Sequence, residues 1–148
     1  MYLLDTNVIS QLMRLNPNPN VLSFFKEAKK KKQPIYLSAI TIGEIRKGIT
    51  KLTRRKDIKQ AEYLKQKLTT IMRDYAGLIL PIDEDVSEAW GVILGNTDDT
   101  NAIDKLIAAT AAVYNLTVVT RNIQDIEPTG VKCLNPFEEV KKYGNKQH

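Results

Sequence analysis

Short apolar runs along the chain alternate with segments whose apolar residues recur every three or four positions. Tyr2 to Leu4 predicts a short strand. Val8 to Leu15 predicts a helix stopped by the NPNPN stretch, Asn16 to Asn20, whose prolines cannot continue it. Residues 21 to 32 predict a second helix ending in a lysine run, Ile35 to Ser38 a second strand, and a further helix starts at about Ile42. The clearest periodicity lies between Asp57 and Tyr75, where Ile58, Ala61, Leu64, Leu68, Ile71, Met72 and Tyr75 form one apolar stripe suited to core or helix-partner packing.

Leu78 to Ile82 predicts a strand that Pro81 confines to an end or an edge. Asp83 to Leu94 predicts a helix, Gly95 to Asn101 a polar loop, and Ala102 to Tyr114 an Ala-rich helix closed by Asn115. Leu116 to Thr120, β-branched and apolar, predicts a strand, and Val131 to Leu134 a last one. Strands separated by helices need crossover connections. The expected fold class is therefore α/β, a three-layer αβα sandwich with a mostly parallel central sheet.

Composition sharpens this picture by what it lacks. With 148 residues and 43% hydrophobic content, the chain suits one domain with a single core. That domain is expected over residues 1–140, with 141–148 as a flexible tail. No apolar run is long enough for a membrane span, and no leader pattern is evident. The lone Cys133 excludes an intrachain disulfide and a Cys-rich zinc site, and fits a reducing, cytoplasmic setting. The one histidine, His148, is the last residue, a poor place for the imidazole of a Ser-His or Cys-His hydrolase. No Walker-type phosphate loop or GxGxxG turn is present. What remains for catalysis is mostly carboxylate.

Charge changes the picture again. Residues 26 to 73 hold 15 Lys/Arg against 4 Asp/Glu, a net of +11, whereas residues 74 to 148 hold 6 against 12, a net of −6. The basic half contains AKKKK, Ala28 to Lys32, and KLTRRK, Lys51 to Lys56, with Lys51, Arg54 and Arg55 as candidates for nucleic-acid phosphate contact. Such an excess suits attraction to a phosphate backbone, and equally a solvated helix face.

In a parallel sheet, ligands bind beyond the carboxyl ends of the strands. The polar residues placed there are Asp5 and Asn7 after the first strand, Ser38, Thr41 and Glu44 after the second, and Thr120, Arg121, Asn122 and Asp125 after LTVVT. Asp104 joins them from the first turn of the Ala-rich helix. Each acid has a local reading as well. Asp5 or Asn7 would cap a helix, Thr41 and Glu44 match a capping box, Asp104 would favour a helix dipole, and Asp125 would sit in a turn. Together they favour something else, because two carboxylates 4 Å apart repel by about 4 kcal/mol at an effective dielectric of 20. A divalent cation removes that repulsion, and oxygen-only donors favour Mg²⁺ or Mn²⁺ over zinc. Such an ion beside a basic surface points to phosphodiester hydrolysis, which needs no histidine.

LLDTNVIS, LSAITIGEIRKGI (Leu37 to Ile49), LPID (Leu80 to Asp83) and DKLIAATAAVYNLTVVTRNIQDI (Asp104 to Ile126) resemble, in order and spacing, the PIN-domain nucleases, and most closely the VapC/FitB-like toxins of bacterial toxin-antitoxin pairs. The resemblance runs from Tyr2 to about Phe137. It implies a Mg²⁺- or Mn²⁺-dependent endoribonuclease, with Asp5 and Asp104 as metal ligands, Glu44 as a third acid, and Asp125 or Asn122 as the fourth polar position. Thr6, Asn7 and Thr120 match small polar residues that orient the acids. It further implies a homodimer, an RNA substrate and silencing by a cognate antitoxin, with DNA met only through the antitoxin complex.

Two other classes stay open on the residues alone. One is a non-catalytic nucleic-acid-binding regulatory module that uses the basic segment 26–73. The other, an aspartyl-nucleophile phosphatase, would want Asp-x-Asp after the first strand, and Asn7 stands where the second aspartate belongs.

Overall fold

The computed structural model describes residues 1–138; the expected tail, 141–148, and His148 lie outside them. Five strands form one fully parallel sheet: β1 (Tyr2–Leu4), β2 (Ile35–Ser38), β3 (Ile79–Leu80), β4 (Thr117–Val119) and β5 (Cys133–Leu134), in the spatial order β3-β2-β1-β4-β5. The central strand β1 pairs Tyr2 with Ile35 on one side and Leu3 with Val118 on the other. The chain therefore winds outward from β1 to one edge, then returns to the other side of β1 for β4. That reversal makes the gap between β1 and β4 the topological switch point, where open α/β sheets form their ligand crevice.

Among the described residues seven helices cover the sheet: α1 (Thr6–Ile9), α2 (Pro19–Lys30), α3 (Ala39–Arg54), α4 (Ile58–Asp74), α5 (Glu84–Asn96), α6 (Ala102–Tyr114) and α7 (Ile123–Ile126). Successive strand residues point to opposite faces. Leu4, Leu37 and Val119 pack under α1 to α4 with Val8, Val21, Ile49 and Leu68, whereas Leu3 and Val118 pack under α6 and α7 with Ile107, Ala111 and Ile126. Leu3, Leu4, Leu37 and Ile107 are wholly buried, each stabilising the fold by about 1.5–3 kcal/mol relative to exposure. Trp90 of α5 donates its indole N–H to the Ala102 carbonyl at 2.9 Å and so ties α5 to the start of α6.

Several elements differ from expectation for local reasons. The first helix lasts only to Ile9, tightens into a 3-10 turn over Ser10–Met13, and leaves Leu15 82% exposed. Asn16 precedes a proline and is biased to extended backbone, so the winding must end before it. Pro19 is more than a stop: it is the first residue of α2, behind Asn18, whose side chain accepts from Asn20 N–H at 2.8 Å. α3 starts at Ala39, ahead of Ile42, because Ser38 caps it by accepting from Ile40 N–H at 3.2 Å. Thr41 is thus inside the helix, which removes the capping-box reading of Thr41 and Glu44. On α4, Ala61, Leu68 and Ile71 are buried, but Ile58 and Met72 from the same stripe are exposed. α5 runs on to Asn96, which shortens the polar loop to Thr97–Asn101.

Candidate active site at the carboxyl end of the sheet

Asp5 follows β1 directly at the switch point. Its backbone N–H donates to the Val119 carbonyl at 2.9 Å, which prolongs the β1–β4 ladder by one residue and draws the side chain inward. Only 4% of the residue is exposed. Asp5 Oδ1 accepts from Thr6 N–H at 2.7 Å, so the helix-cap reading holds, and Oδ2 accepts from the buried Thr120 hydroxyl at 2.8 Å. Thr120 Oγ1 in turn accepts from Asn122 N–H at 2.9 Å, which locks the turn after β4 beneath Asp5.

Glu44, half-buried on α3, reaches back toward β1. Its Oε1 accepts from the Thr6 hydroxyl at 2.5 Å, and Thr6 Oγ1 also stands 3.3 Å from the buried Thr41 hydroxyl. Thr6 and Thr120 thus donate to the two acids from either side of β1. Asn7, by contrast, is exposed and lines the groove described below.

Asp104 and Asp125 complete the set electrostatically. Burial pushes the Asp5 carboxyl above its ordinary range against the Thr120 and Thr6 hydrogen bonds, and the charges of Glu44 and Asp125 push it further. Asp104 is pushed up to about 6, by burial first and then by the charges of Asp5, Asp125 and Glu44, while a side-chain hydrogen bond from Asn122 lowers it. An acid in a first helical turn is ordinarily stabilised by the helix dipole. Burial and the neighbouring acids act in the opposite direction here. Asp125 and Asn122 both adjoin this cluster: Asp125, in the first turn of α7, adds charge, and Asn122 adds an amide to Asp104.

The fold thus brings Asp5, Glu44, Asp104 and Asp125 within mutual electrostatic reach at one sheet edge. Among the described residues no three of them close into a ready-made metal cage. Mg²⁺ is commonly held by one or two carboxylates, with waters and substrate phosphates completing its shell. Four hard-oxygen acids gathered at one place, whose charges raise the pKa of Asp5 and Asp104, therefore fit a hard divalent ion without all four having to bind it.

A groove of about 1110 Å³ opens from this site between α1 and the α3–α4 pair. Thr6, Asn7 and Glu44 line it, as do the cations of Arg14, Arg55, Lys59 and Arg121. Of the three expected RNA contacts, Arg55 lines the groove, whereas Lys51 and Arg54 are exposed outside its lining. Another cleft, of about 790 Å³ on α5 around Asp83 and Val92, holds none of the four acids. Sequence reasoning passed over Lys105. It follows Asp104 but turns inward, with its side chain 7% exposed and its ammonium donating to the Asp98 carbonyl at 2.8 Å and carboxylate at 3.0 Å. Its only sequence signal was a lysine inside an apolar helix.

A doubly wound parallel sheet carrying an acidic cluster at its switch point is an architecture that the comparisons with known proteins place in one family. The chain belongs to the PIN domain family, whose model matches residues 2–126. It is 35% identical over 144 residues to Toxin FitB of Neisseria gonorrhoeae, covering 94% of this chain and 100% of that one. It is 32% identical over 144 residues to a VapC ribonuclease of Sinorhizobium fredii, covering 93% and 99%. Its fold superposes on the crystal structure of FitAcB from Neisseria gonorrhoeae with a TM-score of 0.82 at 35% identity, covering 94% of this chain and 100% of that chain.

Proposed function

We propose that this protein is a metal-dependent endoribonuclease that acts as the toxin of a toxin-antitoxin pair, with Asp5, Glu44, Asp104 and Asp125 as its catalytic acids. The observation that carries the reading is the set of four acids at the switch point, with Asp5 buried and Asp104 pushed up to about 6. Its likeness to a FitB toxin and a VapC ribonuclease supports both the chemistry and the biological role.

Asp5 and Asp104, helped by Glu44 and by Asp125, would hold Mg²⁺ or Mn²⁺. Held there, such an ion would supply acidification of a water and neutralisation of charge on the phosphate. Thr120 and Thr6 keep Asp5 and Glu44 in single orientations, so little reorganisation is needed as charge moves. The proposal includes a cytoplasmic homodimer and a cognate antitoxin through which any DNA is met. Among the described residues no helix is long and apolar enough to cross a membrane, and Ile58 and Met72 on α4 are exposed apolar surface available to a partner.

The test is calorimetric titration of the partner-free protein with Mn²⁺, alongside cleavage of single-stranded RNA with and without chelator. Binding and chelator-sensitive cleavage are expected in the wild type. A protein that binds neither ion, or cleaves equally in chelator, is not this enzyme.

A further inference from the structure

Asp104 and Lys105 are neighbours in sequence with different destinations. Successive residues of an α-helix stand about 100° apart around its axis. While Asp104 faces the acids at the sheet edge, Lys105 turns into the corner between α6 and the loop at 97–101. Its side chain is 7% exposed, and burying an ammonium is costly unless it is paired and hydrogen-bonded. Two hydrogen bonds offset that cost, to the Asp98 carbonyl at 2.8 Å and to Asp98 Oδ1 at 3.0 Å.

The loop that Lys105 grips is itself tied down. Asp98 Oδ1 also accepts from Thr100 N–H at 2.9 Å and from the Thr100 hydroxyl, and the Thr97 hydroxyl donates to the Ile93 carbonyl of α5 at 2.6 Å. The start of α6, by contrast, lacks a local fixing. Its N-cap, Asn101, is left-handed, φ 54°, and makes no side-chain cap hydrogen bond. The first turn is set from α5 and its loop instead, by Trp90 on the Ala102 carbonyl at 2.9 Å and by Lys105 on Asp98. Ile107, Ala108 and Ala111 pack the middle of the helix onto the sheet, but apolar attraction is non-directional. Meanwhile the charges of Asp5, Asp125 and Glu44 repel Asp104. A roll of α6 by about 10° would carry a carboxylate at a radius of about 5–6 Å by about 1 Å. Misplacement of that size can cost a preorganised site about 100-fold.

We propose that Lys105 is a positioning residue for the acidic site: its grip on Asp98 fixes the roll of α6 and so the placement of the Asp104 carboxylate against Asp5. This rests on the ribonuclease reading above. Lys105 acts by placement, not by its charge on the ion.

The sign of one effect separates those two. By electrostatics alone, removing a positive charge near a cation site tightens the ion's binding; releasing α6 weakens it. The experiment titrates full-length variants with Mn²⁺ by calorimetry, at a temperature where circular dichroism shows each one folded, and follows RNA cleavage against Mn²⁺ concentration. Lys105→Met should weaken Mn²⁺ binding by about 10–100-fold, the range for losing support around a metal ligand. The Mn²⁺ needed for half-maximal cleavage should rise by the same factor. Asp98→Ala, at a side chain 67% exposed, leaves the carbonyl arm and should weaken binding less, by about fivefold, the scale of one hydrogen bond. Asp98→Asn keeps an oxygen for the ammonium and should restore most of that loss. A folded Lys105→Met with unchanged or tighter Mn²⁺ affinity overturns the proposal. So does an Asp98→Asn that weakens binding as much as Asp98→Ala, because charge would then account for the loss. If Lys105→Met does not fold, the Asp98 pair decides, and wild-type affinity in Asp98→Ala overturns the proposal. A wild type that neither binds Mn²⁺ nor cleaves RNA fails the ribonuclease reading itself; a binding, cleaving wild type with an indifferent Lys105→Met sinks only this inference.

Discussion

Lys29 to Lys32 and Asp5 lie at opposite ends of one parallel sheet, the lysines before β2 begins and the aspartate after β1 ends, and their surroundings differ in kind. The lysines are exposed, and the ion pair from Lys31 to Glu27 spans 3.7 Å between side chains that are both more than half in water. Such charges are screened and worth little singly. Asp5 is 4% exposed, bonded through both oxygens, and faces the charges of Glu44 and Asp125. The amino end holds a charge excess that water absorbs; the carboxyl end holds one that the fold itself must bear. A count of charges favours the first as the functional feature, and burial favours the second.

The largest expected effect breaks that comparison if it fails. Asp5→Asn keeps the side-chain shape but removes the buried charge, and should lower RNA cleavage at least about 100-fold, the scale for losing one electrostatic element of a preorganised site. Circular dichroism should show the fold unchanged. Near-wild-type cleavage would mean that the buried end is not the active one.

Next comes the positioning of that charge. Thr120→Val removes the hydroxyl that donates to Asp5 Oδ2 and accepts from Asn122 N–H. Loss of such outer hydrogen bonds typically weakens metal affinity about 10–100-fold, and calorimetry with Mn²⁺ should find that range. Thr120→Ser should restore most of it, because the hydroxyl is the active part.

A smaller effect concerns the repulsion within the acidic cluster. Asp104 keeps its proton in the folded chain up to about pH 6, against about 3.9 for an unperturbed aspartate. Between those values the folded state binds more protons than the unfolded state, so the stability this group lends is complete below about pH 4 and lost as pH rises through 6. In chelator, Asp104→Asn should therefore melt higher than wild type at pH 7 and equally at pH 4. Because Asp104 is only half-buried, the gain is on the order of 1 kcal/mol after screening, a few degrees in melting temperature. A lower melting temperature at pH 7 would mean that the carboxylates support the fold rather than strain it.

Much of this arrangement was legible in the chain, and the reasons differ by element. α6 runs from Ala102 to Tyr114 as its composition predicts, and Asn115 ends it in a left-handed conformation, φ 56°, that asparagine tolerates. The four acids could be placed at the sheet edge because each follows a strand or opens a helix, positions fixed by local pattern. What local pattern could not supply was distance across the fold. Thr41 and Glu44 matched a capping box by spacing, yet Ser38 takes the cap and Glu44 turns to Thr6, 38 residues away in sequence. Likewise Arg14, Lys59 and Arg121 have nothing in common along the chain, and only the closure of α4 and the β4–α7 turn over one groove brings them together.

The smallest effect expected belongs to the feature most prominent in the sequence. Changing Lys29, Lys30, Lys31 and Lys32 together to Gln removes four of the 22 basic residues. It also removes Lys29 and Lys30 from the last turn of α2, where a cation meets the negative end of the helix dipole, and the exposed pair with Glu27. These losses are a few tenths of a kcal/mol each, a fall of about 2–4 °C in melting temperature at most. Cleavage should stay within twofold at moderate salt, since the lysines stand a full strand length from the carboxylates and are screened over about a Debye length. At very low salt, where screening weakens, a modest slowing of RNA capture should emerge, because long-range attraction does not depend on contact. A loss of cleavage comparable to that of Asp5→Asn at moderate salt would make the amino end a working part of the site.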